Sequence, residues 1–168
     1  MEQYFFKNKK LSINGICFKE EKALTGIIFN PVDYVIDGMK FINSGKIKKV
    51  VVETDEFKNK IMTKKFQKYF DDANKKIFKT TEIQNFQNLF TLINSMDVLC
   101  ELSLSKEDVV YIGKVINVYD DSIDIDFFNT ECKLIDNAFV EFKDITTVSV
   151  FSDYLDTLSE VMKDDANK

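Results

Sequence analysis

Thr25-Gly26-Ile27-Ile28-Phe29-Asn30 begins a run of short apolar segments and turns that extends to Val52. Ile112-Gly113-Lys114-Val115-Ile116-Asn117 begins a second run, in the same order, that extends to Val150. The apparent equivalences are Gly26 with Gly113, Ile47 with Ile145, Val50 with Val148 and Val52 with Val150. A helical segment then opens near Phe57 and near Leu155. Because an internal repeat constrains architecture more than local propensity does, the sequence predicts two similar β-rich units.

The predicted fold is mainly β with helices, of the α+β class, and it has three parts. Residues 1–79 form the first unit with a terminal helix, residues 80–97 form a connecting helix, and residues 98–168 form the second unit with its own terminal helix. Thr81 to Gln84 fits a capping box at the start of the connecting helix. The glycine equivalence gives an offset of 87 residues and the isoleucine equivalence one of 98, which implies about eleven inserted residues, mostly the loop 129–136.

Local patterns predict further elements. Asn14-Gly15 is a good signal for a tight hairpin, and residues 33–37 are predicted to form a strand. From Glu56 the apolar residues Phe57, Ile61, Phe66 and Phe70 recur at helical spacing with lysines between them, which predicts a basic amphipathic helix. Residues 71–76 are predicted to be a linker.

Charge is distributed unevenly between the two units. The net charge is −5, but residues 1–79 hold 17 lysines against 10 acids, and residues 80–168 hold 6 lysines against 18 acids. An acidic surface repels nucleic acid and raises the association rate of basic proteins. The second unit is therefore the predicted site for a basic protein partner.

The chain lacks the residues on which several classes of catalysis and recognition usually depend. The chain has no histidine, and all 23 basic residues are lysine, so histidine-dependent nucleophiles and general bases and arginine-mediated base recognition are not expected. Cys17, Cys100 and Cys132 form no CxxC pair, which predicts reduced cysteines without a zinc site. No glycine-rich phosphate loop, leader peptide or membrane span is recognisable. We expect a cytoplasmic protein that has no catalytic residues and no cofactor.

The candidate partner-binding residues lie on one turn, one strand and one loop of the second unit. Alternation along the strand puts Ile123, Ile125 and Phe127 on one face, and Asp124 and Asp126 on the other. Two aspartates on one face could also bind a hard cation, although no EF-hand spacing is present, or could simply be solvated. The candidates for a partner surface are Asp120, Asp121, Asp124, Asp126, Glu131, Lys133 and Asp136.

The chain also resembles a known class of proteins. Strands that bend at Gly26 and Gly113, with the short turn Lys143-Asp144-Ile145-Thr146 before the last strand, resemble Sm-like or SH3-like barrels. Tandem copies with terminal helices are similar to immunity proteins of contact-dependent growth-inhibition systems. The resemblance implies a cytoplasmic protein that neutralises a cognate toxin domain, often a basic nuclease, and it carries over no individual residue.

Two other functions remain open. One is a single-stranded RNA binder of Sm-like type, supported by the basic first unit and its aromatic residues, although the acidic second unit and the absence of arginine make a nucleic-acid partner less expected. The other is an enzyme that uses only carboxylates and lysines. If the acidic surface is only solvated, the basic helix around residues 58–68 becomes the next candidate for partner binding.

Overall fold

A computed structural model describes residues 1–7, 9–10, 12–105 and 109–166 of the chain. Ten strands and four α-helices lie in these ranges. The strands are β1 (Glu2–Phe6), β2 (Ile13–Glu20), β3 (Leu24–Phe29), β4 (Met39–Asn43), β5 (Ile47–Val52), β6 (Cys100–Leu104), β7 (Val110–Val118), β8 (Ser122–Phe128), β9 (Leu134–Glu141) and β10 (Ile145–Val150). The helices are α1 (Glu56–Tyr69), α2 (Ala73–Thr80), α3 (Phe86–Ser95) and α4 (Asp153–Ala166). No described helix has the length and apolar character needed to cross a membrane.

All ten strands belong to one antiparallel sheet, which confirms the α+β class. Their order is β5-β1-β2-β3-β4-β10-β6-β7-β8-β9. The first five strands (the first repeat) and the last five (the second repeat) therefore follow the same internal order. The expectation of two small barrel units is not confirmed, because the sheet is open. The two repeats meet where β4 of the first pairs with β10 of the second. This pairing is called the joint below.

The two repeats correspond at a constant offset of 98 residues. Gly15 pairs with Glu2 and Phe29, and Gly113 pairs with Cys100 and Phe127, so every partner is shifted by 98. The irregularities recur at the same offset: β2 is bulged at Phe18 and β7 at Ile116, while β5 is bulged at Lys48 and β10 at Thr146. The aligned valines and isoleucines of β5 and β10 fit this offset, so those equivalences are confirmed.

The predicted equivalence of Gly26 and Gly113 is wrong, and so is the eleven-residue insertion derived from it. Gly113 corresponds to Gly15. A Cβ atom on Gly15 would lie 2.5 Å from the carbonyl oxygen of Ile28, and one on Gly113 would lie 2.6 Å from Cδ1 of Ile125. Both glycines let one strand approach the next closely. Residues 134–136 of the supposed insertion belong to β9.

Two local predictions in the first repeat are also wrong. Asn14 and Gly15 lie inside β2, where they pair with Gln3 and Glu2, and they form no hairpin turn. Residues 33–37 form no strand. The amide Nδ2 of buried Asn30 donates hydrogen bonds to the carbonyl oxygens of Val32, Asp33 and Val35, at 3.2, 3.0 and 2.7 Å, and this closes the segment into a loop.

Side-chain caps mark where α1, α2 and α3 begin. α1 begins after Asp55, whose carboxylate accepts a hydrogen bond from the backbone N–H of Lys58 at 3.0 Å. The predicted linker 71–76 is wrong, because the Asp72 side chain caps α2, which begins at Ala73. The connecting helix starts later than predicted: Asn85 caps α3 at the N–H of Asn88, and Thr81 caps no helix start.

The largest hydrophobic cluster lies between the helices and the middle of the sheet. Phe41 of β4 is fully buried and contacts Phe18 and Phe78, with ring centroids 5.7 and 5.9 Å apart. Phe78 of α2 also meets Phe151, just after β10, at 5.3 Å. Burial of each such ring contributes roughly 1.5–3 kcal/mol. One outer face of the first repeat is therefore covered by aromatic residues and helices.

Candidate partner-binding face

The candidate face is formed by β7, β8 and β9 at the acidic end of the sheet. Alternation along β8 directs Ile123 and Ile125 into the core, where both are buried, and leaves Asp124 and Asp126 on the outer side. Across the ladders Asp124 lies opposite Asn117 and Phe139. We define the acidic face by six side chains on this outer side: Asn117, Tyr119, Asp124, Asp126, Asn137 and Phe139. Lys114, opposite Asp126, lies on the same side, and its Nζ is 2.7 Å from Oδ1 of Asp97.

Hydrogen bonds order the polar part of the acidic face. The Tyr119 hydroxyl donates to Oδ2 of Asp124 at 2.7 Å, and Nδ2 of Asn117 donates to the same oxygen at 3.0 Å. The hydroxyl bond is the main cause that lowers the pKa of Asp124, and it raises the pKa of Tyr119. Nδ2 of Asn137 donates to Oδ1 of Asp126. Both carboxylates are thus held in place by side-chain hydrogen bonds.

An exposed aromatic pair accompanies these carboxylates. Phe139 is 64% exposed and Tyr119 is 45% exposed, and their ring centroids are 6.3 Å apart. Aromatic residues on an otherwise polar surface are typical anchors in protein interfaces. The acidic face thus combines fixed negative charge with apolar surface that a partner could bury.

The acidic face is exposed, whereas the corresponding face of the first repeat is covered by other parts of the chain. At the offset of 98 residues, Phe139 corresponds to Phe41, and Ile116 corresponds to Phe18. Phe41 is fully buried under Phe18 and Phe78, whereas Phe139 is exposed. The first repeat covers the equivalent strands with its own helices, and among the described residues the second repeat leaves them accessible.

The structure brings only some of the predicted residues onto the acidic face. Asp124 and Asp126 lie on it, and Asp120 lies beside it, where its carboxylate accepts a hydrogen bond from Nε2 of Gln87 at 2.9 Å. Asp121 lies at the turn before β8 and accepts a hydrogen bond from the hydroxyl of Ser122. Asp136 pairs with Phe127 in the ladder, so alternation places it on the opposite side of β9 from Asn137.

Glu131 and Lys133 form a separate feature at the far end of the sheet. Their side chains make an ion pair of 2.6 Å in the turn before β9. Oδ1 of Asn129 accepts hydrogen bonds from the backbone N–H groups of both residues. Because the pair neutralises itself and is exposed, it adds little net charge to the surface.

Four residues of the acidic face escaped sequence reasoning: Asn117, Tyr119, Asn137 and Phe139. The misplaced insertion ended in a loop, 129–136, directly before Asn137, and the register that sets Phe139 beside Asp124 comes from the pairing of β8 with β9. The alternation Asn137-Ala138-Phe139-Val140 in the sequence indicates a strand. Once this strand is known to pair with β8, the alternation also places Phe139 on the exposed side, beside Asp124.

The basic helix offers a second, different surface. On α1 only Met62 is fully buried, and Phe66 and Phe70 pack against the core, while Phe57 is 67% exposed. Two of its lysines are already engaged: Lys58 lies 3.5 Å from Glu53, and Nζ of Lys65 donates to the carbonyl oxygen of Tyr34. The helix chiefly covers the first repeat and exposes a mixed basic and apolar side.

Two of the three cysteines, Cys17 and Cys100, are poorly suited to nucleophilic chemistry. Cys100 is fully buried, and burial raises the pKa of its thiol to about 12. Burial also raises the pKa of Cys17. Both residues therefore stay protonated at neutral pH, and only the thiolate is a good nucleophile. Within the described ranges, no three Cys, Asp or Glu side chains are grouped as metal ligands would be.

Comparisons with protein-family models, with curated proteins and with solved structures gave no match for this chain.

Proposed function

We propose that this chain is a non-catalytic binding protein whose acidic face receives a basic protein domain. The observation that carries the proposal is the contrast between the repeats: the strands that α1, α2 and their phenylalanines cover in the first repeat are accessible in the second, and they present Asp124, Asp126 and Phe139. Ordered carboxylates steer a basic partner, and the exposed ring gives it apolar surface to bury.

The partner class follows from the resemblance to immunity proteins of contact-dependent growth-inhibition systems. We infer that the partner is a cognate toxin domain, of basic nuclease type, which the chain neutralises in the cytoplasm by binding it. The recurring strand order and the apolar cluster formed by Tyr4, Phe6, Ile27 and Ile42 within the first repeat support the related proposal that each repeat is an opened Sm-like or SH3-like unit.

The test is a charge reversal on the acidic face, measured as binding to the toxin domain encoded beside this gene. The variant Asp120→Lys/Asp124→Lys/Asp126→Lys should associate roughly tenfold more slowly at low salt. The difference should shrink as salt screens the charges. The matched control Asp71→Lys/Glu82→Lys/Glu160→Lys makes the same change in net charge at exposed positions elsewhere and should associate faster than the face variant.

Two results would count against the proposal. Equal association rates for the face variant and the control would reduce the acidic face to solvated surface. A loss of binding on reversal of the exposed lysines of α1, with the face variant unaffected, would move the site to the basic helix. Circular dichroism of each variant should match the wild type, because all six replaced acids lie on exposed or half-buried surface positions.

A further inference from the structure

The joint shows how one repeat of this chain recognises another. Val148 of β10 pairs with Phe41 of β4, and Val150 pairs with Met39, and all four side chains are fully buried. Beside this ladder, Nδ2 of Asn43 donates to the carbonyl oxygen of Ile145 at 3.1 Å. The joint is therefore a complete strand-to-strand interface between the fourth strand of the first repeat and the fifth strand of the second repeat.

The two edge strands of the sheet, β5 and β9, correspond to the two strands that pair at the joint. β5 is the counterpart of β10, and β9 is the counterpart of β4, and within the described residues each is paired on one side only. Val50 and Val52 of β5 are 43% and 64% exposed, and Phe139 of β9 is 64% exposed. Their counterparts Val148, Val150 and Phe41 lie at the joint and are fully buried there, in the cluster that the helices cover.

Free backbone groups also face outward from β5. The N–H of Glu53 donates to the carbonyl oxygen of Met1 at 2.8 Å, on the side of β1. Because N–H groups alternate between the two sides of a strand, those of Val50 and Val52 point away from β1. The corresponding groups of Val148 and Val150 point to β4 across the joint. An edge of this kind is a template for a further strand.

We propose that β5 of one molecule pairs antiparallel with β9 of a second copy of this chain, in the register of the joint. Val50 then faces Phe139 of the other copy and Val52 faces Asn137, just as Val148 faces Phe41 and Val150 faces Met39. Extending the register by two further residues places Lys48 opposite Glu141. The contact sets the exposed valines beside the exposed phenylalanine and pairs the free N–H groups.

Charge favours this head-to-tail arrangement over the alternatives. β5 lies in the half with 17 lysines and 10 acids, and β9 lies in the half with 6 lysines and 18 acids. Pairing of two β5 strands or two β9 strands would bring like charges together. One like-charged pair does arise in the proposed register, Glu53 beside Asp136, but it lies at the end of the ladder, and Lys58 is 3.5 Å from Glu53.

A contact between two different edges does not close on itself. Each added molecule presents a new free β5 or β9, so the assembly is a ring or an open filament and not a twofold dimer. This inference rests on the joint and not on the proposed partner, and it holds whether or not the acidic face binds a toxin.

The experiment uses two variants that each block one edge. Val50→Lys and Phe139→Glu replace exposed side chains, so the isolated molecule should fold normally. Sedimentation velocity and light scattering of the wild type should show concentration-dependent growth beyond a dimer that weakens with salt. Each variant alone should need a protein concentration roughly tenfold higher than the wild type, or more, to associate to the same extent. The control Val161→Lys, on an exposed valine of α4, should assemble as the wild type does.

Mixing the two variants gives the decisive result. Val50→Lys keeps an intact β9 edge and Phe139→Glu keeps an intact β5 edge, so the mixture should form one-to-one heterodimers and nothing larger. Association by Phe139→Glu alone would indicate pairing of two β5 strands, and association by Val50→Lys alone would indicate pairing of two β9 strands; either would overturn the proposal. A wild type that stays monomeric at all concentrations would also overturn it.

Discussion

Replacing Gly15 with alanine should destabilise the protein, because this position must lack a side chain for β2 to lie against β3. The new Cβ atom would lie 2.5 Å from the carbonyl oxygen of Ile28 and 2.7 Å from Cδ1 of Ile27. Ordinary contacts are roughly 3.5 Å or longer, so the backbone of β3 must move by about 1 Å. Overpacking of this kind costs about 1–3 kcal/mol.

Alanine also recovers part of that loss. Glycine in a strand interior is less favourable than alanine by roughly 0.5–1 kcal/mol. Because the obstacle is a backbone carbonyl, the overpacking cost should lie at about 2–3 kcal/mol, so the net loss in the free energy of unfolding should be about 1–2.5 kcal/mol. Gly113→Ala should lose less, because the nearest obstacles are side-chain atoms of Ile125 at 2.6 and 2.7 Å, and the nearest backbone atom lies at 3.0 Å. The isoleucine can shift where a backbone carbonyl cannot.

Urea denaturation with linear extrapolation measures these differences. Gly45→Ala is the matched control, since its nearest atom would be Oδ1 of Asn43 at 3.3 Å and the residue is exposed on a turn; its stability should lie within about 0.5 kcal/mol of the wild type. If Gly15→Ala were as stable as this control, the argument that the close approach of β2 and β3 requires a glycine at this position would be refuted.

Two further predictions concern tyrosines. Tyr69→Phe should raise the free energy of unfolding by roughly 1 kcal/mol, because the Tyr69 hydroxyl is buried without a hydrogen-bond partner among the described residues; urea denaturation that showed a loss of stability would contradict this. Tyr119→Phe should raise the pKa of Asp124 towards its ordinary value, because the lost hydroxyl bond favours the charged form. The lowered pKa of Asp124 means that its contribution to stability is present above the ordinary aspartate pKa and is lost as pH falls through the lowered value. Carboxyl NMR titration checks both points, and an unchanged Asp124 pKa in Tyr119→Phe would show that the hydroxyl is not the cause.

Local sequence patterns predicted correctly those features that depend on a single strand or helix. The alternation in β8 set Ile123 and Ile125 inside and Asp124 and Asp126 outside, as the structure has them. Of the apolar residues whose spacing predicted the packed side of α1, Phe66 and Phe70 do pack against the core, but Phe57 is 67% exposed. Signals that depend on context failed: Asn14-Gly15 is a hairpin dipeptide that is used inside a strand, because the close approach of β3 demands a glycine there.

By itself, the sequence determined that the chain is a β-rich repeat with opposite charge in its two halves. Strand alternation, the recurring residues of β5 and β10, and the acid and lysine counts depend only on residue order. The tertiary structure alone decided the offset of 98 residues, the joint between β4 and β10, and which outer face is covered. The joint pairs residues about a hundred positions apart, and the other two features depend on pairing and packing between separate elements. Each such contact is weak, and only their sum over a whole ladder selects one register.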